Sequence, residues 1–177
     1  MQSGASFMVD PLERYRAGER VLARSVLDRL VDNSPDLKSD PPVSLAEQVR
    51  EMREAIRRDI EALLNTRRRP TSPPAALSDL GDALVNYGVD GMVSANLFTD
   101  EAKARLARII ERRIATFETR LAHVRVTILK NRTITDRALR LRIEASFRLI
   151  DGMPPISFES VIDPSTQHFL VEGAANG

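Results

Sequence analysis

The spacing of the apolar residues changes near Leu121, and this change constrains the fold more than any other feature of the sequence. Before it, apolar residues recur every three or four positions, which is the period of an α-helix that faces a core. After it they occupy every second position, which is the period of a β-strand with one buried face. Helices followed by strands predict an α+β domain, with N-terminal helices packed on a C-terminal antiparallel sheet of three to four strands.

Two long helices are predicted before the change in period. Ser44 and Glu47 have the spacing of a capping box, in which the side chain of each residue bonds the backbone N–H of the other. A helix should therefore begin at Ser44, and its apolar stripe predicts that it ends near Asn65. Thr99 or Asp100 can cap a second long helix, whose apolar residues again follow helical spacing.

Shorter segments surround these two helices. Apolar residues at helical spacing predict a helix over residues 19–31, and three prolines predict a loop over residues 32–43. Three arginines and three prolines over residues 65–76 predict an exposed basic connector, because proline cannot continue a helix. A short helix is predicted over residues 77–87, with Gly88 supplying the left-handed conformation at its C-terminal end.

Strands are predicted from Leu121 onwards. In the first, Val124, Val126 and Ile128 lie on one side of the strand. The second alternates apolar and polar residues over residues 139–149, as a long antiparallel strand with one face on the core does. Two short strands should follow, after turns that contain Pro, Gly and Asp; they are predicted over residues 156–162 and 168–171.

Length and composition favour a single folded domain. The chain has 177 residues, and we predict a flexible lead over residues 1–18 before one domain over residues 19–177. Hydrophobic residues make up 42% of the chain, and there is no Cys and only two His, so neither a disulfide framework nor a thiolate metal site is expected. No apolar run approaches the roughly 18 residues of a membrane span. We therefore predict a cytosolic protein with no structural metal.

Charge is unevenly distributed along the chain, although the net charge is only +1. Residues 120–148 carry a net charge of +6, whereas the tail from residue 149 carries −4. This asymmetry favours a charged protein interface. It does not favour nucleic acid, because aromatic residues make up 5% of the chain and do not interleave with the basic run Arg67 to Arg69.

The sequence contains no motif of nucleotide binding and no serine hydrolase motif. Glu19 and Asp28 stand nine residues apart, as the catalytic Glu and Asp of phage-type lysozymes do, and two carboxylates are enough for glycoside hydrolysis. A chain with 25 Asp and Glu residues is expected to contain such a spacing by chance. Because chance accounts for this spacing, we predict that the protein is not an enzyme. A peptidoglycan-cleaving glycoside hydrolase is the alternative function.

Four segments stand out beyond composition, and they are Leu27–Leu30, Arg57–Arg68, Val85–Asp90 and Phe117–Leu121. In this order and approximate spacing they resemble the family that contains TssE, the small baseplate subunit of type VI secretion, and the equivalent wedge subunit of contractile phage tails. That family reads R-D-[LI]-E-x-L-L-N-T-R-R, then N-Y-G-[LV]-x-D, then F-E-P-R-L running into V-x-V strands. The resemblance covers residues 24 to 165, which is most of the chain.

The resemblance implies a structural role in a contractile injection machine. A protein of this family would bind other baseplate subunits and sheath proteins, and it would template assembly of the sheath. The resemblance implies no catalytic residue, no cofactor, no metal, no small-molecule substrate and no nucleic acid. Such a protein would be cytoplasmic, at the cytoplasmic face of the inner membrane when assembled, without inserting into the membrane.

The motif segments also supply the predicted partner-binding residues, which are Asn65, Arg67, Arg68, Glu118 and Arg120. Other interpretations of these residues stay open, since Asn65 can simply end a helix, the arginines can be a solvated run, and Glu118 and Arg120 can pair with charges inside the fold. Thr119 stands where the family has Pro, which would mark the end of the helix.

Overall fold

The computed structural model describes residues 30–31, 35–37, 44–69, 74, 76–90, 99–130, 138–148, 153–163, 166 and 168–173. Its contacts divide the chain into two units, Met1–Ala55 and Ile56–Gly177. Most of the helix predicted over residues 19–31, and most of the loop predicted over residues 32–43, lie outside the described residues. The division into a lead of 18 residues and one domain stays a prediction.

Two long helices begin where the sequence predicted, and the first also ends at the predicted residue. Helix α1 covers Leu45–Asn65, and the side-chain oxygen of Ser44 accepts a hydrogen bond from the backbone N–H of Glu47 at 3.2 Å. Helix α2 covers Asp100–Phe117, and Thr99 caps it by accepting from the N–H of Ala102 at 3.2 Å. Each cap satisfies an N–H that has no partner within the helix.

The helix predicted over residues 77–87 is wrong. The structure has two separate 3₁₀ helices there, Ser78–Gly81 and Leu84–Asn86, with Ala83 in an extended conformation between them. The reason is the side-chain amide of Asn86, which donates to the backbone carbonyls of Leu80 and Gly81. Those carbonyls would accept from residues 84 and 85 in a continuous α-helix, so the amide competes with helix formation.

The second unit contains a four-stranded antiparallel sheet, as predicted. Its strands are β1 (Leu121–Leu129), β2 (Leu139–Phe147), β3 (Ile156–Asp163) and β4 (His168–Gly173), and they lie in that order across the sheet. Strands β1 and β4 are therefore its two edges. Helix α2 packs against β1, with its buried residues Leu106, Ala107, Ile110 and Ile114 facing the core.

The two faces of the sheet follow the alternation in the sequence. One face is buried, and its residues include Leu139, Leu141, Ile143, Ala145, Phe147, Ile156, Phe158, Ile162, Phe169 and Val171. The other face is polar and partly exposed, and it carries an ion pair of 2.9 Å between Arg142 and Glu159 on neighbouring strands. The buried apolar face supplies most of the driving force for holding the helices on the sheet.

A β-bulge near the start of β1 brings two buried residues onto the same face of the sheet, although they are an odd number of positions apart. Leu121 and Val126 are both buried, yet in a regular strand they would point to opposite faces. The register with β2 shifts between Ala122 and Arg125, and His123 takes a left-handed conformation with φ of 53°. The extra residue changes which face the strand buries, so both apolar side chains reach the core.

Candidate functional site

The turn between α2 and β1 is held by an arginine that bonds a buried carboxylate. Glu118 follows the last residue of α2, and 8% of its side-chain surface is exposed. The Nε of Arg120 donates to Oε1 of Glu118 at 2.7 Å, and Nη2 donates to Oε2 at 2.5 Å. The backbone N–H of Arg120 donates to Oε1 at 3.2 Å. This two-bond geometry fixes both side chains in the turn.

Asp59, in the middle of α1, completes this group. The Nη2 of Arg120 also donates to Oδ2 of Asp59 at 2.6 Å. Burial alone would lower the pKa of the Arg120 guanidinium, but hydrogen bonds and charge from Glu118 and then Asp59 outweigh burial and raise that pKa. Arg120 therefore stays charged and offsets the two carboxylates. We call Asp59, Glu118 and Arg120 the junction cluster.

Tyr87 packs beside the junction cluster. Its ring meets the ring of Phe117 edge-on, with centroids 5.3 Å apart and planes at 71°. Burial, and then the negative charges of Asp59 and Glu118, raise the pKa of the Tyr87 hydroxyl. Three of the motif segments seen in the sequence thus meet at one place in the fold.

The end of α1 and the segment around Val89 form a parallel β-bridge. The N–H of Val89 donates to the carbonyl of Thr66 at 2.9 Å, and the N–H of Arg68 donates to the carbonyl of Val89 at 3.1 Å. Gly88 permits this approach with φ of +103°, and a Cβ at that position would lie 2.3 Å from the carbonyl oxygen of Thr66. The predicted left-handed Gly88 is confirmed, but it serves this contact rather than the end of an α-helix.

The arginines that follow α1 differ in exposure and in bonding. The side chain of Arg68 is 16% exposed, and its Nε donates to Oδ1 of Asp90 at 2.7 Å. Further bonds of 3.3 Å run from Nη2 to Oδ2 of Asp90 and from Nη1 to Oδ1 of Asn86. Arg67 and Arg69, on either side of it, are exposed. Arg68 therefore holds the Val89 segment, whereas its neighbours are accessible to a partner.

The outer edge of β4 is covered by a row of side chains from α1. Asn65 donates to the carbonyl of Phe169 at 2.8 Å and accepts from the N–H of the same residue at 2.9 Å. Glu61 accepts from the N–H of Val171 at 3.0 Å, and Arg57 donates to the carbonyl of Val171 at 2.8 Å. The three side chains are spaced by four residues, so they share one face of α1 and together bond this edge.

The outer edge of β1 is more open. The N–H of Val126 donates to Oε2 of Glu111, on α2, at 3.1 Å. Because alternate residues of an antiparallel strand direct their backbone groups to the same side, Ile128 faces outwards as Val126 does. In the described part of the chain, no side chain bonds the backbone N–H or C=O of Ile128.

Four of the five predicted partner-binding residues have bonding partners inside the chain. Glu118 and Arg120 bond each other, Asn65 bonds β4, and Arg68 bonds the segment around Val89. Arg67 is exposed. Contact of these residues with another protein stays a prediction.

Sequence reasoning did not single out the acidic partners of these residues. Asp59 and Glu61 are the acidic residues of the R-R-D-I-E segment, and Asp90 closes the N-Y-G-V-D segment. Their presence inside the motifs was the available signal. Nothing in the linear sequence indicated that Asp59 meets Arg120, or that Glu61 meets β4 more than 100 positions away.

The described residues include no group of three or more His, Cys, Asp or Glu side chains that could hold a metal ion. A shallow concavity of about 420 Å³ is lined by Val161, Asp163, Thr166, His168 and Leu170. No helix in the described ranges is both long and apolar enough to cross a bilayer.

The charged groups of this site hold a turn, a bridge and a sheet edge within an α+β fold. The family model for baseplate wedge protein gp25 matches residues 50–151, more than half of the chain, and the chain belongs to this family. The matched range contains the motif segments at residues 57–68, 85–90 and 117–121, so the resemblance inferred from them is confirmed. The protein accordingly has a structural role of the kind found in phage-tail-like baseplates. No curated protein matches the chain.

Proposed function

We propose that this protein is a non-enzymatic baseplate component of a type VI secretion machine, and that it templates assembly of the contractile sheath. It binds other baseplate subunits and sheath proteins at the cytoplasmic face of the inner membrane, without a cofactor, a small-molecule substrate or nucleic acid. Membership of the baseplate wedge family supports the structural part of this proposal. The observation that carries the templating part is the difference between the two sheet edges.

A sheath strand adds along β1 in this proposal. Main-chain hydrogen bonds to the outward N–H and C=O of Ile128 supply affinity, and neighbouring side chains supply register. Arg125 and Thr127 are exposed on the same strand, and the region from 120 to 148 carries a net charge of +6. These charges favour an acidic partner strand. The β4 edge does not take part, because side chains of α1 already bond its backbone.

Glu118 and Arg120 act on the sheath through the position of β1. The N–H of Leu121 donates to the carbonyl of Glu118 at 3.2 Å, and the N–H of Arg148 donates to the carbonyl of Arg120 at 2.9 Å. The junction cluster therefore fixes where β1 begins and how it meets the end of β2. Both residues are positioning residues in this role. Asn65 has the complementary role of keeping the other edge closed.

Arg67 is the residue of the basic run that contacts a baseplate partner directly. It is exposed, while Arg68 beside it is bonded to Asp90. The alternative of a peptidoglycan-cleaving glycoside hydrolase stays a prediction, because Glu19 and Asp28 lie outside the described residues.

The templating proposal is tested by Ile128→Pro. Proline removes the outward N–H of an edge strand while leaving the ladder to β2 intact, because that ladder uses the alternate residues. In cells that express labelled sheath subunits, we expect the number of extended sheaths to fall at least about tenfold, since one main-chain bond and the fit of the added strand are lost.

The matched control is Ile128→Ala, which also removes the side chain but keeps the N–H. Thermal melting of both purified variants separates edge blocking from loss of stability. Templating through β1 is refuted if the two variants form equal numbers of sheaths, or if the proline variant assembles sheaths at the parent level.

A further inference from the structure

Two arginines from different parts of the chain converge on Asn86. The Nη1 of Arg113, on α2, donates to the backbone carbonyl of Asn86 at 3.2 Å. The Nη1 of Arg68 donates to the side-chain oxygen of the same residue at 3.3 Å. Burial, and then the positive charges of Arg68 and Arg112, lower the pKa of Arg113 against the opposing influence of nearby carboxylates. Positive charge is thus concentrated at this place.

The carboxylate of Asp90, close to these arginines, is already paired with Arg68. Asp90 receives two bonds from Arg68, at 2.7 and 3.3 Å. Among the described residues, no carboxylate lies within ion-pair distance of Arg113, whose bond goes to a neutral carbonyl. Arg113 therefore retains N–H donors for a carboxylate from outside the chain, and Arg112 beside it is exposed.

Large apolar side chains lie exposed in the segment that leads to Asn86, the residue both arginines bond. Leu84 is 81% exposed and Val85 is 58% exposed, and both directly precede Asn86. Leu77, at the start of the preceding 3₁₀ helix, is 53% exposed. The amide of Asn86 bonds two carbonyls of that helix, so one residue ties the apolar segment and the arginines together. Adjacent exposed apolar residues of this size indicate an interaction surface.

We propose that Leu77, Leu84, Val85, Arg112 and Arg113 form a docking surface for a protein segment that carries Asp or Glu beside large apolar side chains. The arginines match the carboxylates, and the apolar residues match the hydrophobic side chains. Nucleic acid would pair with the arginines but leave Leu84 and Val85 in water. This surface is distinct from the β1 edge, and the inference does not depend on sheath templating.

The test is a photo-crosslinking amino acid in place of Leu84, in cells that produce the full chain from its own gene. Mass spectrometry of the crosslinked peptide identifies the sequence of the segment that binds next to residue 84. We expect a segment with net negative charge and several Leu, Ile or Phe residues. Adding Arg113→Gln should lower the crosslink yield about tenfold, because it removes one member of an interfacial charge pair.

Arg108→Gln is the matched control, since Arg108 is exposed on the same helix and should leave the yield unchanged. A crosslink to a second copy of this chain, to lipid, to nucleic acid or to a basic segment would overturn the proposal. The absence of a crosslink would also overturn the proposal. So would an unchanged crosslink yield in Arg113→Gln, provided that its circular dichroism spectrum matches that of the parent. A crosslinker at Thr127 reports on the β1 edge separately, so the two proposals can fail independently.

Discussion

The two edges of the sheet differ in how their backbone groups are used. Along β4, the outward groups of Phe169 and Val171 bond side chains of α1. Along β1, the outward N–H of Val126 bonds Glu111, and no described side chain bonds the outward N–H or C=O of Ile128. An unpaired edge is a hazard in a soluble protein because it can take up any other strand.

The described side chains therefore protect the two edges of this sheet unequally. Three side chains of one helix bond the outward N–H and C=O groups of two residues of β4, Phe169 and Val171, and so occupy that part of the edge. Within the described ranges, the opposite edge keeps the outward groups of Ile128 unbonded by side chains, and a buried ion pair fixes the beginning of that strand. The proposed templating of a sheath strand along β1 requires this difference between the two edges. Three predictions follow from the comparison.

The largest effect is expected where the start of β1 is held. Arg120→Ala would leave the carboxylate of Glu118 buried without its cation, and we expect the free energy of unfolding to fall by about 3 to 5 kcal/mol. Urea denaturation of the purified protein measures this loss. Arg67→Ala removes an exposed arginine and should change stability by less than about 0.5 kcal/mol. Equal stability of the two variants would mean that the junction cluster does not hold the fold.

A smaller effect is expected at the closed edge. Asn65→Ala removes both bonds to Phe169 and leaves its backbone groups without those partners, so stability should fall by about 1 to 3 kcal/mol. The uncovered edge should also make the protein self-associate with rising concentration, which sedimentation velocity detects.

Thr66→Ala is the control for Asn65→Ala, because it changes the next residue, whose hydroxyl bonds within α1 itself. It should leave the protein monomeric. If Asn65→Ala also stays monomeric at every concentration, then Asn65 is not needed to keep the β4 edge closed.

The smallest effect concerns pH. The folded state raises the pKa of Tyr87 above its ordinary value of 10.0, so the folded protein holds this proton more tightly than the unfolded chain. The resulting stability is fully present below about pH 10 and is lost as pH rises through the folded pKa. Tyr87→Phe should therefore lose less stability than the parent as pH rises above about 10. An alkaline loss that persists in Tyr87→Phe would assign the loss to other groups.

Local patterns predicted much of the fold. The caps at Ser44 and Thr99, the end of α1 at Asn65 and the alternation of β2 are each encoded within a few residues, and all are confirmed. The helix over residues 77–87 failed because the side chain of Asn86 bonds backbone carbonyls five and six positions earlier. Apolar spacing carries no information about such a bond.

The candidate site likewise has features that local sequence patterns predicted and contacts that they did not. Motifs and periods are local properties of a chain, so the family, the order of helices and strands, and the charged residues of the motifs could be predicted from the amino-acid sequence. The contact of Arg120 with Asp59 across 61 positions, and of Asn65 with Phe169 across 104, depends on the tertiary fold. Packing of helices on the sheet brings these groups within bonding distance. That packing also determines which edge is closed, since α1 can cover just the strand beside which it lies.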